Sequence, residues 1–218
     1  MKKNQSKAIL GVCLAISVFL AAPLLATGDR VNRQEKTSGT LFVGQAAPEF
    51  VAKSTQGKDL QLSNFKGSPV VLEWTNKDCP FVKKYYKRQD MQKLQKWATD
   101  KGAVWLTIIS SAKGKQGHLS DDQANLVAKE QGFFSSHIIR DELGTIGRQY
   151  GAKTTPHIVL IDENGRLMYH GAIDSIRSSD PDDIARSVNY VKAGLTQYWA
   201  GTPLETVETK GYGCAVKY

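Results

Sequence analysis

Within residues 70–109 a buried-strand pattern, a helical pattern and a second buried-strand pattern follow one another, and this succession narrows the folds open to the chain. Val70-Val71-Leu72-Glu73-Trp74 is an apolar run of strand length. Phe81, Val82, Tyr85, Met91, Leu94, Trp97 and Ala98 then recur at helical spacing, and Gly102 supplies a stop. Ala103-Val104-Trp105-Leu106-Thr107-Ile108-Ile109 is the second strand. Strand, helix and strand in so short a stretch form a βαβ unit, which requires parallel strands and a right-handed crossover.

The remaining elements fill out an α/β order. Ser120 with Gln123 makes a capping box for a helix running to about Gln131. His137-Ile138-Ile139-Arg140 reads as a short strand and Ile146 to Tyr150 as a short helix. Thr154-Thr155-Pro156 opens the strand His157-Ile158-Val159-Leu160-Ile161. Asn164-Gly165 is a two-residue hairpin signal leading into Arg166-Leu167-Met168-Tyr169-His170. A last helix is expected from Asp180 as cap and Pro181 at the first position, with Ile184, Val188, Val191, Leu195 and Tyr198 as its apolar stripe. Gly201 and Pro203 end it, leaving a tail over residues 202–218 that carries Cys214. The order βαβ, helical connection, ββα predicts a mixed central sheet with helices on both faces, the thioredoxin-like layout.

The chemistry is expected where β-strand gives way to helix, at Asn76-Lys77-Asp78-Cys79-Pro80. A sulfur at a helix start meets unpaired N–H groups and the positive end of the dipole, which favour a thiolate. Lys77, Lys83 and Lys84 add positive charge nearby, and Asp78 opposes it. Pro80 suits the first helical position, where a missing N–H costs nothing. A buried structural cysteine is the competing reading, and a position beside proline at a helix N-terminus fits it poorly.

Residues 44–200 resemble the redoxin branch of the thioredoxin-like superfamily, near the alkyl hydroperoxide reductase/thiol-specific antioxidant family. The resemblance rests on Gly44-Gln45-Ala46-Ala47-Pro48-Glu49-Phe50, Leu62-Ser63-Asn64-Phe65-Lys66-Gly67, Cys79-Pro80, Tyr150-Gly151 and Thr155-Pro156, and the tail from Tyr212 to Tyr218 is similar to that of bacterial, peroxiredoxin-like relatives. It implies an exported thiol oxidoreductase. It also implies that Thr155-Pro156 is a cis turn beside Cys79, able to pair with an extended substrate strand. The chain departs from the family's relatives in two ways. Val82 stands where a dithiol thioredoxin has its second cysteine. Leu72 and Asn76 stand at the proline and threonine positions of the peroxiredoxin pattern, with Asn76 left as a hydrogen-bond donor to an oxyanion, and the Thr155-Pro156 turn replaces the peroxiredoxin arginine.

Cys214 is the second sulfur of the cycle that these residues predict. From Gly201 the tail can extend by at most ~45 Å, against a domain radius of gyration near ~16 Å. It can therefore reach Cys79 in its own chain or in a neighbouring copy, so a homodimer is one arrangement consistent with the sequence. Catalytic roles are thus expected at Cys79, Cys214, Asn76, Thr155 and Pro156. The partners are an external thiol reductant and a peroxide or protein disulfide substrate. No cofactor is expected. His157 and His170 flank the hairpin, but a metal site needs a third ligand, and a copper carrier of this fold would need a second cysteine close to Cys79. The alternatives are that copper carrier and a non-catalytic binding module using the Pro156 groove.

Lys2, Lys3 and Lys7 precede an apolar run from Ala8 to Ala26 with Pro23 near its end, the pattern of a secretory signal over residues 1–26. Residues 27–40 read as a flexible polar leader and residues 41–201 as one redoxin domain. The destination expected is an exported compartment, the periplasm of a bacterium, or the membrane surface if the signal stays attached. An oxidising compartment is where thiols become disulfides. Without the three signal lysines the formal charge falls from +8 to +5. The excess is spread along the chain, which argues against a nucleic-acid partner.

Overall fold

The computed structural model describes residues 41–218, so the signal and leader over residues 1–40 lie outside it. Its elements are β1 (Val51–Lys53), β2 (Asp59–Gln61), β3 (Val70–Trp74), α1 (Pro80–Tyr86), α2 (Asp90–Asp100), β4 (Val104–Ile109), α3 (Asp121–Gln131), β5 (His137–Arg140), α4 (Thr145–Gln149), β6 (Thr154–Thr155), β7 (His157–Ile161), β8 (Leu167–Gly171), α5 (Tyr190–Trp199) and β9 (Cys214–Ala215). The main sheet runs β5-β4-β3-β7-β8. β3, β4 and β5 are parallel, and β7 and β8 are antiparallel to their neighbours. This is the thioredoxin-like fold.

Alternation along the strands builds two cores. Val71, Trp105, Ile158, Leu160 and Tyr169 face α1, α2 and α5, packing against Val82, Tyr85, Met91, Leu94, Val191 and Leu195. Val70, Leu72, Trp74, Leu106, Ile108, Val159 and Ile161 face the other way, onto Phe50, Leu62, Ile146 and Tyr150. Both faces are covered, so every residue of β3 is buried, Glu73 included. The Glu73 carboxylate accepts hydrogen bonds from Tyr86 Oη (2.7 Å), Trp105 Nε1 (2.8 Å), Gln95 Nε2 (3.0 Å) and Thr107 Oγ1 (3.3 Å). Burial pushes its pKa up, and these donors offset part of that. One carboxylate in an otherwise apolar strand thus ties β3 to β4, α1 and α2.

Three expected elements differ in detail. The single helix expected from Phe81 to Ala98 is two, α1 and α2, broken at Gln89 with φ 61°. The break re-aims the apolar face, so that Tyr85 and Tyr86 are buried on one side of it and Met91 and Leu94 on the other. The helix expected from Pro181 is a 3₁₀ turn over Pro181–Arg186, capped by Asp180 through the Asp182 N–H (2.9 Å). The chain then extends to bridge Asp174 with Asn189, and α5 begins afresh with Asn189 capping the Lys192 N–H (2.9 Å). Val188 consequently lies 55% exposed, off the stripe it was assigned to. The β7–β8 connection is a three-residue loop, because Asp162 N–H donates to the Arg166 carbonyl (2.9 Å) and Gly165 takes φ 80°. Among the described residues no helix is long and apolar enough to cross a membrane.

Candidate active site

Cys79 caps α1 at the end of the loop that follows β3. Its backbone is extended (φ −73°, ψ 125°), Pro80 fills the first helical position, and its carbonyl accepts from the N–H groups of Val82 (3.1 Å) and Lys83 (2.9 Å). Asn76 shapes the loop. Its Oδ1 accepts from the Asp78 N–H (2.9 Å), its Nδ2 donates to the Gln116 carbonyl (3.2 Å), and its own carbonyl accepts from the Cys79 N–H (3.0 Å). One Nδ2–H thus holds Gln116, and the amide's second N–H remains available as a donor. In this structure Asn76 holds the loop together.

The Thr155–Pro156 peptide is cis. The turn lies against Cys79, whose Sγ–H donates to the Thr155 carbonyl at 3.2 Å. The Thr155 hydroxyl is buried and, among the described residues, has no hydrogen-bond partner. It stands close enough to favour a negative sulfur.

The tail does what local patterns could not specify. β9 pairs antiparallel with β6, Thr155 opposite Cys214 and Thr154 opposite Ala215. The two free thiols are thereby brought beside one another within one chain. Close approach depends on Gly213 at φ 121°, where a Cβ would lie 2.1 Å from the Thr155 carbonyl oxygen. Further anchors lie on both sides. Val216 N–H donates to the Lys153 carbonyl (3.0 Å), Ala112 N–H donates to the Lys217 carbonyl (2.8 Å), and Tyr218 Oη donates to the Ala152 carbonyl (2.5 Å). Arg148 stacks over the Tyr218 ring at 4.3 Å.

Tyr212 is anchored by a group that was not singled out in the sequence. Its hydroxyl donates to Asp174, as does that of Tyr85. Asp174 also forms a salt bridge with Lys84 at 2.9 Å, both side chains being 0% exposed. The Tyr212-Gly213 pair beside Cys214 was the only sequence signal available. Nothing local pointed to Asp174.

These contacts change the source of thiolate stabilisation. Lys84 is committed to Asp174, and Lys77 pairs with Asp78 at 2.8 Å, so neither offers an uncompensated charge to the sulfur. α1 is only seven residues long, which limits its dipole. Burial raises the Cys79 pKa, but the neighbouring Cys214, Thr155 and Val82 outweigh it and bring it below the ordinary thiol value. Cys214 is pushed up to about 11 by burial and by the neighbouring Cys79. Cys79 therefore ionises first while Cys214 keeps its proton. An ultraviolet thiolate titration of the reduced protein is expected to show two separate steps. Cys214→Ala removes this neighbour, so the step belonging to Cys79 should move to higher pH; an unmoved step would show that Cys214 is not what lowers it.

Cys79 itself is 0% exposed, while Cys214 is partly accessible. His157 follows the cis turn, and burial together with nearby His170 depresses its pKa to about 3, so it is neutral at physiological pH. Among the described residues no three of His, Cys, Asp and Glu gather into a metal-binding group.

Residues 43–170 match the AhpC/TSA family. A comparison with curated proteins gives no match. Among solved structures, a hypothetical protein from Sinorhizobium meliloti superposes with a TM-score of 0.68 at 22% identity, covering 83% of this chain and 96% of that one. An uncharacterised conserved protein from Geobacillus kaustophilus gives 0.69 at 22% identity, with 83% and 94% covered. A protein from Bacteroides thetaiotaomicron, named as a candidate protein disulfide isomerase, gives 0.52 at 19% identity, with 76% and 92% covered. These similarities establish the shared fold.

Proposed function

The chain belongs to the AhpC/TSA family, and from the placement of its two thiols beside one another we propose that it is a thiol–disulfide oxidoreductase whose Cys79 and Cys214 cycle between dithiol and disulfide. The Cys79 thiolate attacks a substrate disulfide, forming a mixed disulfide and releasing one half of the substrate as a thiolate. Cys214, deprotonated as it attacks, displaces the second half and leaves the Cys79–Cys214 disulfide. Two electrons have then passed to the substrate, and an external thiol reductant restores the dithiol. The observation that carries this reading is the pairing of Cys214 opposite Thr155, the residue whose carbonyl accepts from Cys79. Because Cys214 comes from the same chain, the cycle needs no second copy.

Peroxide reduction is the second reading, and membership of the AhpC/TSA family favours it. It would pass through a Cys79 sulfenic acid that Cys214 resolves. Leu72 and Asn76 at the proline and threonine positions of the peroxiredoxin pattern weigh toward disulfide exchange. The basic and apolar segment over residues 1–26 supports an exported location, where protein disulfides are abundant.

Treatment of the reduced protein with one equivalent of glutathione disulfide is the direct test. Both thiols are expected to disappear, and peptide mass spectrometry should recover the Cys79 and Cys214 peptides joined within a monomer. Chains linked to one another, or two thiols still free, would count against the proposal. Dimedone labelling of Cys214→Ser after brief peroxide exposure separates the two substrates: a tagged Cys79 identifies peroxide.

A further inference from the structure

The tail brings more than a sulfur. Cys214 lies in an extended strand opposite Thr155, whose carbonyl accepts from Cys79, and packs against the cluster that holds Cys79, which is the placement a substrate cysteine must adopt to be attacked. With the tail seated, Cys79 is wholly covered. A substrate sulfur that took the place of Cys214 would reach it, and its backbone would inherit the same hydrogen bonds along β6. Around Cys214 the channel is shaped for particular neighbours. Two residues earlier, Tyr212 is 4% exposed, packs edge-on against Phe81 at 5.8 Å, lies 5.9 Å from the Lys84 ammonium and donates its hydroxyl to Asp174. One residue earlier, Gly213 fits a gap closed by the Thr155 carbonyl, too narrow for a Cβ.

We infer that residues 211–216 occupy the substrate's own channel, and that the protein acts on disulfides in extended polypeptide segments with a phenolic side chain two positions before the cysteine and glycine immediately before it. This rests on Cys79 being the reacting sulfur. The tail swings out to admit the segment, Cys79 forms the mixed disulfide, and the returning tail carries Cys214 back to β6. There its thiolate expels the segment as a thiol and forms the Cys79–Cys214 bond, with electrons balanced as in the dithiol–disulfide cycle.

The test uses the full chain carrying Cys214→Ser and a fluorescent peptide of residues 209–218 with the same serine replacement, so that no electrons move. Adding Gly213→Ala to the protein forces a Cβ against the Thr155 carbonyl and should loosen the tail. The peptide is expected to bind this chain about tenfold or more tightly than the chain with Gly213, because the competent fraction rises. Alkylation of Cys79 by iodoacetamide should quicken similarly and slow again when peptide is added. A Tyr212→Ala peptide should lose the affinity gain. Tyr212→Phe in the protein, which removes only the hydrogen bond to Asp174, should change both readouts in the same direction by less, and it serves if Gly213→Ala fails to fold. Equal binding to tight and loosened chains, or a Tyr212→Ala peptide binding as well as the original, overturns the inference. Because the peptide carries no thiol, an inert Cys79 would sink the redox cycle and leave the binding result standing, and the reverse holds too.

Discussion

Cys79→Ser is expected to lower disulfide turnover to the uncatalysed rate, a loss on the order of 10³-fold or more, while leaving the fold intact. Serine can still donate to the Thr155 carbonyl, now accepting the 3.2 Å hydrogen bond from Sγ, and its smaller volume in the covered site costs little packing. What it lacks is a group that ionises in the accessible pH range and attacks sulfur. Cys214→Ser should behave differently. Cys79 would still complete the first half-reaction, and the chain would accumulate as a mixed disulfide detectable by its added mass. If Cys79→Ser retained turnover, or if the adduct in the Cys214→Ser chain mapped elsewhere, the assignment of roles to the two sulfurs would be wrong. The raised pKa of Cys214, about 11, fits the order of events, since a thiol that keeps its proton does not compete with Cys79 for the substrate.

Asp174→Ala is expected to cost about 3–5 kcal/mol of stability, because it leaves the Lys84 ammonium buried without its partner. For a chain of this size that is a fall in Tm of roughly 6–20 °C. Both side chains are completely enclosed, so solvent cannot rescue the charge. The same carboxylate accepts from the phenols of Tyr85 and Tyr212 and from the Ile176 N–H at 3.1 Å. Its loss should therefore also release the tail from its anchor. Replacing both charges together, Lys84→Met with Asp174→Leu, should recover most of the stability, as buried ion pairs often exchange for apolar pairs at little net cost. Urea unfolding of the single and double variants measures this; a single variant within about 1 kcal/mol of the parent would show that the pair is not the keystone its burial indicates. Restored stability without restored control of the tail would separate the two duties of Asp174.

Much of this site was legible because it is local. Val70 to Trp74 had to be a strand closed in on both faces, and Pro80 with the helical spacing after it placed Cys79 at a helix start. Ser120 and Gln123 form the capping box expected of them, each side chain bonding the other's backbone. The Thr155–Pro156 turn is cis and touches Cys79, as the family resemblance implied. The departures occur where a tertiary contact outweighed a local pattern. Asn189 pairing with Asp174 drew the chain out of the helix that Pro181 had begun, and Gln89 accepted a left-handed backbone so that apolar side chains on both sides of it could be buried.

Sequence by itself determined the order of the main strands and helices and the place of Cys79 at a helix start, because strand alternation, helical spacing and capping depend on residues a few places apart. Only the tertiary structure decided which residue faces that sulfur and what sets its charge. Lys84, near in sequence, is claimed by the distant Asp174, and Cys214, far away, is brought to Cys79 by a strand that Gly213 allows to lie against Thr155. Such choices follow from packing and from the cost of burying an unpaired charge, which exist only once the chain has closed on itself.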